Sequence, residues 1–514
     1  MTWENSAITI ATLLPVAGAL VIILVPRDRD RLVRGLGILF TGAALVVAVA
    51  LAIGFDYGES GLQYVLDVNW ISAIGARYHV GIDGISLPLY LLTFLLSFLC
   101  AIYSWRVIPD PGRSKAFLAL TLLLETGMAG TFIAFDLILF FVFWEMVLVP
   151  MYFLIGIWGS ANREYAAIKF FLYTLFGSVF MLLGFLALYF NGPDPHTFDL
   201  VQLTQFGAGG GYTHTFQLIV FGAVALGFAI KVPMWPFHTW LPDAHTEAPT
   251  IGSVLLAGVM LKMGTYGFVR IALPVLPEGA KAFAPWIGLL AAIAIVYAAL
   301  ACLAQRDLKR LIAFSSVGHM GFVMLGIATL TEIGIQAAIF GMVAHGIITG
   351  MLFFCVGSIY DRYHTRQISE IGGGMWEAMP KLAGVFWFVC IASLGLPGLA
   401  GFWGEVMALL SAFRPNADLL AGQVGLFRGL MIAGGIGTIL TAGYFLWMTQ
   451  RVVLGRLPER WTEHSLGDMN PVEWLSWAPL LVLILALGLF PRLIFGISND
   501  AVGSVLGALT GLRL

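Results

Sequence analysis

Runs of about 20 apolar residues, the length that crosses a hydrocarbon core, follow one another along the chain with short polar connections between them. They lie near 6–25, 33–54, 87–105, 116–134, 136–157, 165–190, 217–246, 250–273, 284–303, 311–330, 334–358, 382–412, 427–454 and 474–496. The pattern predicts fourteen spanning helices, numbered here as spans 1 to 14. Residues 6–25 read as the first span and not as a leader, because MTWENS lacks a positive start and no small-residue cleavage site follows. The expected fold class is an all-α polytopic membrane protein.

Two of the runs are interrupted. In span 7, GFAIKVPMWPFHTWLPDAHTEAP (227–249) carries Lys231 and then Pro233, Pro236, Pro242 and Pro249. Proline cannot donate to the carbonyl one turn back, so the helix ladder opens just past the lysine. The end of the first half-helix also carries partial negative charge, which favours a cation there. Span 12 holds SLGLPGLAGFWGE, with Gly395, Pro397, Gly398 and Gly401 ahead of Glu405. The two breaks are five spans apart, and an odd number of crossings returns the chain on the other side. Spans 4–8 and 9–13 are therefore expected to be inverted repeats with paired broken helices, 7 and 12, an arrangement that marks an ion path in transporters. The chain then divides into 1–115 (helices 1–3), 116–273 (first repeat), 284–454 (second repeat) and 455–514 (helix 14 and tail).

Composition excludes a water-soluble globule: 59% of the 514 residues are hydrophobic, 11% are charged and the mean hydropathy is +0.91. Soluble domains carry about 25% charged residues. The net charge of −2 gives no reason to expect nucleic acid. The placement of charge says more. Of the 27 lysines and arginines, 18 fall in or beside connections that follow odd-numbered spans, from Arg27 to Arg460, and seven on the other side, from Arg77 to Arg513. The excess of positive charge predicts Arg-rich turns in the cytoplasm and both termini outside. The four cysteines, Cys100, Cys302, Cys355 and Cys390, stand singly in apolar runs without metal-site or cluster spacing. No phosphate-binding loop follows a strand. No cofactor is expected in this chain.

Ionisable residues inside spans cost about 2.5–3.5 kcal/mol each on insertion scales, which makes them functional candidates by default. Glu145, Lys231, Lys262, His319, His345 and Glu405 occupy spans 5, 7, 8, 10, 11 and 12. Glu125 and Asp136 lie nearer the ends of spans 4 and 5 and also suit interfacial carboxylates. A static Glu145–Lys231 pair that only fixes packing is the plain alternative for those two. A helix–helix hydrogen bond is the plain alternative for either histidine. His238, His245 and Asp243 match no strong metal motif. Counted along span 12 at about 1.5 Å per residue, Glu405 falls beyond the midplane towards the outer surface.

ETGMAGTFIAFDLILFFVFWEMVLVPMYFLIGIWG (125–159), the broken stretch at 227–249, LIAFSSVGHMG (311–321) and GIDGISLPL (81–89) resemble the proton-pumping, antiporter-like membrane subunits of respiratory complex I. That family also includes subunits of multi-component sodium/proton antiporters, and the resemblance covers nearly the whole chain. It implies Glu145 and Lys231 as a coupled pair, Lys262 as central relay, His319 and His345 as connecting groups and Glu405 as terminal carrier. Relatives generally place a lysine where Glu405 stands; the glutamate is the pattern of one of the three pumping chains. The resemblance further implies a bacterial plasma-membrane protein that moves protons and sits among lipids and other complex I membrane subunits, including neighbouring antiporter-like chains. Flavin, iron–sulfur clusters and quinone are then expected in partner subunits. An antiporter subunit and a non-conducting scaffold of a membrane redox complex are the alternatives.

Overall fold

A computed structural model describes residues 3–511 except 27, 60, 464 and 465. Arg27 and Arg513, counted above, lie outside the described residues. The chain is mostly helical, and among the described residues fourteen helices are long and apolar enough to cross a membrane. Their membership differs from the sequence expectation in two places. The run at 382–412 is two shorter helices, Pro380–Ser393 and Ala400–Phe413, because six residues between them leave helical geometry. The second difference is Arg492–Thr510, which joins the long apolar helices.

The helix Arg492–Thr510 does not run alongside the spans. Ser498 donates to Gln336 Oε1 at 2.5 Å, and Phe495 packs on Phe340 with ring centroids 4.9 Å apart. A Cβ on Gly84 would meet the Ile497 carbonyl, and Gly511 approaches the Ala208 carbonyl. All four partners lie opposite the Arg-rich connections: Gln336 and Phe340 in the first turns of span 11, Gly84 just ahead of span 3, and Ala208 in the connection between spans 6 and 7. The helix therefore lies flat across one face. Its buried positions, Ile494, Ser498, Ala501, Val502, Val505, Ala508 and Leu509, recur every three or four residues and form a single stripe.

Among the described residues one pair of strands, absent from the sequence expectation, covers the same face. Gln63–Ile71 and Ala76–Ile82 form an antiparallel hairpin between spans 2 and 3. His79 of this hairpin contacts Asp199 at 2.6 Å, and its carbonyl accepts from the Phe135 N–H.

Both broken helices are observed. In span 7, His214–Lys231 stops and Trp240–Glu247 resumes. Pro233 offers no N–H, so the Met234 N–H turns to the Ala229 carbonyl, and the Trp240 indole N–H caps Ile230 at 2.9 Å. The chain itself thus covers the opened carbonyls of Ala229 and Ile230. In span 12, Gly395 and Gly398 take φ of +83° and +91°, a region only glycine enters without strain. Trp403, in the second half, donates its indole N–H to Gly488 at 2.8 Å.

Candidate functional site

Span 8 is the helix that sets the centre of the site. Its course from Thr250 to Val275 includes a π-helical turn at Leu256–Met260. Such turns widen a helix and are frequent at functional positions. Lys262 follows the turn, fully buried, and its Nζ reaches back to the Ala257 carbonyl. The same ammonium meets His345 Nδ1 at 2.6 Å.

That contact requires spans 8 and 11 to lie close together. Gly346, next to His345, lets them: a Cβ there would be 2.7 Å from the Gly258 carbonyl oxygen. A second glycine, Gly404 beside Glu405, does the same between spans 11 and 12, where a Cβ would be 2.8 Å from the Cα of Gly341. Small residues of this kind allow helix backbones to approach within a membrane.

From His345 the polar side chains continue. The rings of His345 and His319 lie 5.7 Å apart between centroids. His319 Nδ1 contacts Glu405 Oε1 at 2.8 Å, and His319 Nε2 meets the Ser393 hydroxyl at 3.1 Å. His345 Nε2, Thr349 Oγ1 and Glu405 Oε2 are buried with no protein partner. These three side chains line one cavity of about 30 Å³, together with His319 and Ser393. A polar cavity of that size has room for one or two waters, which need such partners. Lys262, His345, His319 and Glu405 form a near-continuous polar line through the buried interior.

Glu405 differs in depth from the sequence expectation. It bonds His319, eleven residues into the 21-residue helix Leu308–Ala328 and so near its middle. Its partner's place in span 10 therefore puts Glu405 near mid-depth and not beyond the midplane.

The Glu145–Lys231 pair is arranged differently from a contact ion pair. Lys231 is 2% exposed, and its Nζ stands 5.1 Å from the centroid of the Trp144 ring. Glu145 is within electrostatic reach of Lys231 and beside Ser178. Among the described residues, however, no carboxylate lies within the 4.0 Å of an ion pair from Lys231.

Glu125 and Asp136 stand apart from this line. Asp136 caps span 5: one oxygen accepts from the Ile138 and Leu139 N–H groups and the other from the Arg77 N–H. Glu125 is fully buried with neither oxygen hydrogen-bonded, close to Tyr90 and Cys100 of span 3. The four cysteines are free and buried. Among the described residues, no three His, Cys, Asp or Glu side chains converge as a metal would require, and His238 and His245 are held by aromatic rings.

The sequence reading missed Lys309. It counts there as a loop cation, but it is the second residue of span 10 and only 6% exposed, with Nζ donating to the Ala248 carbonyl. The proline that ends the span 7 segment, Pro249, directly follows that carbonyl and was the available signal.

A family model described as NADH:quinone oxidoreductase/Mrp antiporter, TM, matches residues 134–431. The chain belongs to that family of membrane proteins. It is 42% identical over 511 residues to NADH-quinone oxidoreductase subunit M of Rhodobacter capsulatus, covering 97% of this chain and 96% of that protein. NAD(P)H-quinone oxidoreductase chain 4 of Acaryochloris marina is 43% identical over 441 residues, 86% of this chain and 80% of that one. Among solved structures, a chain of respiratory complex I from Thermus thermophilus with bound NADH superposes with a TM-score of 0.85 at 28% identity, covering 98% of this chain and 99% of that chain. A chain of the Mrp complex from Dietzia sp. shares the fold, with a TM-score of 0.85 at 21% identity over the full length of both chains.

Proposed function

We propose that this chain is the subunit M (chain 4) component of a proton-translocating NADH:quinone oxidoreductase, moving protons across a bacterial plasma membrane. The observation that carries the reading is the buried line Lys262–His345–His319–Glu405, whose unpartnered atoms face a water-sized cavity. Groups that hold and release protons, spaced by hydrogen bonds and water, are what proton transfer needs inside a membrane. Glu145 and Lys231 act as the switch: a change in their separation alters the lysine's hold on its proton. Quinone reduction elsewhere in the complex drives that change. Spans 4–8 and 9–13 are the two inverted repeats. Flavin, iron–sulfur clusters and quinone belong to other subunits, and neighbouring antiporter-like chains and lipids surround this one. The termini face away from the cytoplasm.

The test is Glu405→Gln in the intact complex, reconstituted in proteoliposomes. Proton translocation should fall to background while the complex remains assembled. Normal translocation by this variant would overturn the reading. Sodium-dependent ion movement without NADH oxidation would instead favour the antiporter reading, which the family's joint membership supports.

A further inference from the structure

Span 8 carries a second π-helical turn, Phe268–Ala272, towards its end opposite the Arg-rich face. Arg270 lies within it, and its Nη2 donates to both oxygens of Asp83, at 2.6 and 2.5 Å. Asp83 Oδ1 also accepts from the Ile85 and Ser86 N–H groups at 3.0 Å, which ties the pair to the start of span 3. Both side chains are largely buried, the guanidinium side chain 11% exposed and the carboxylate 7%. Aromatic rings flank the cation: its Cζ stands 5.1 Å from the Phe135 centroid and 5.5 Å from that of Tyr266. The flat helix abuts the same segment, with its Ile497 carbonyl against Gly84. Lys262, Tyr266 and Arg270 follow one another at intervals of four, so they share one face of span 8 over about 12 Å. The Tyr266 hydroxyl donates to the Phe132 carbonyl at 2.9 Å and meets the Ser86 hydroxyl at 3.2 Å. A polar row thus runs from the central lysine towards the face opposite the Arg-rich connections.

Such a row would short-circuit a proton pump if it conducted, and its chemistry opposes conduction. An arginine keeps its proton at any physiological pH and so passes none on. A fixed cation beside a narrow polar path also raises the energy of a second positive charge there. The Arg270 Nε is buried without a protein partner. It is a donor only, so a water bound to it turns an oxygen lone pair towards the cation and its hydrogens away, which interrupts a chain of proton transfers. The Tyr266 proton is committed to a backbone carbonyl. Resting on the function proposed above, we infer that the Asp83–Arg270 pair is a proton seal, closing span 8 between Lys262 and the face opposite the Arg-rich connections. Asp83 is its positioning residue: it holds the guanidinium across the row and offsets the cost of burying it. A proton on Lys262 is then kept from the near face and moves on along His345, His319 and Glu405.

The test measures passive proton entry into proteoliposomes of the intact complex, without NADH or quinone. The vesicles hold a trapped pH dye, potassium and valinomycin clamp the voltage, and an acid step is applied outside. The double variant Asp83→Asn with Arg270→Gln removes both charges together and leaves no unpaired ion in the membrane. It should admit protons about fivefold faster or more than the unsubstituted complex, and adding Lys262→Met should return entry to the unsubstituted rate. Arg270→Lys, which keeps the cation, should stay within about twofold of that rate. A tight double variant would overturn the inference, as would a leak that persists with Lys262→Met, which marks a merely loosened bundle, or a leak in Arg270→Lys. If the double variant does not assemble, Arg270→Gln alone is measured in the same way; failure of both to assemble makes the pair a packing contact and also overturns the seal. Pumping by Glu405→Gln is measured alongside. Normal pumping there, with a Lys262-dependent leak in the double variant, removes the functional reading and leaves the seal; blocked pumping with a tight double variant removes only the seal.

Discussion

Lys262 Nζ and His345 Nδ1 lie 2.6 Å apart, which commits the histidine's Nδ1 to the lysine and leaves Nε2 facing the cavity it shares with Glu405. The two residues come from spans 8 and 11, so the contact between these helices is itself a proton-holding one.

Residues that act as a unit give strongly non-additive effects. Lys262→Met and His345→Ala should therefore each remove at least nine-tenths of proton translocation, and the double variant should be no worse than either. Translocation by reconstituted complex measures this. A multiplicative double variant would separate the two roles.

Trp144 holds the Lys231 ammonium over its ring at 5.1 Å, in a position where Glu145 makes no contact pair. Cation–π contacts contribute about 0.5–2 kcal/mol, and tenfold in rate corresponds to about 1.4 kcal/mol. Trp144→Leu is expected to slow translocation between about 2- and 30-fold, whereas Glu145→Gln should abolish it with assembly intact. Initial rates of proton uptake distinguish the two.

The close approach at Gly346 predicts a steric effect with a functional readout. Gly346→Val has to push the Gly258 carbonyl away, at about 1–3 kcal/mol for overpacking. It should lower the unfolding temperature in detergent and, by parting Lys262 from His345, reduce translocation more than NADH oxidation. Gly435→Val, at a glycine with open space beside it, should do neither.

Glu473 marks the opposite case, a buried charge with a structural task. It is fully buried, bound by Arg362 through both oxygens at 2.9 Å and by Arg106 at 2.5 Å, and it closes the capping box of span 14. Removing one partner of such a network costs about 3–5 kcal/mol. Glu473→Ala should cut the yield of assembled complex, measured on native gels, while translocation per assembled complex stays normal.

What the sequence makes legible follows from the cost of each feature. A charge in a span is expensive enough that Glu145, Lys231, Lys262, His319, His345 and Glu405 stand out without coordinates. The breaks at 232–239 and 394–399 are legible because proline and glycine leave few other conformations open. Contacts across the bundle are not legible. Which nitrogen of His345 meets Lys262, or that Lys231 rests on Trp144 short of Glu145, depends on rotation and depth of neighbouring helices, which an apolar run does not encode. Arg492–Thr510 escapes a search for long apolar runs because polar residues interrupt it, with Ser498, Asn499 and Asp500 consecutive near its middle. Lys309 escapes because its place near a turn gives a solvated cation the same signature as a buried one.

The flat helix Arg492–Thr510 works like the spine of a book. It touches the chain before span 3 and the helix Leu200–Ala208 on one side of the molecule and span 11 on the other, all at one face. Leaves bound along one edge separate at the other. Relative motion of the helices it ties together is then cheapest at the Arg-rich face, where a cavity of about 540 Å³ already parts spans 4 and 11, and smallest at the bound edge.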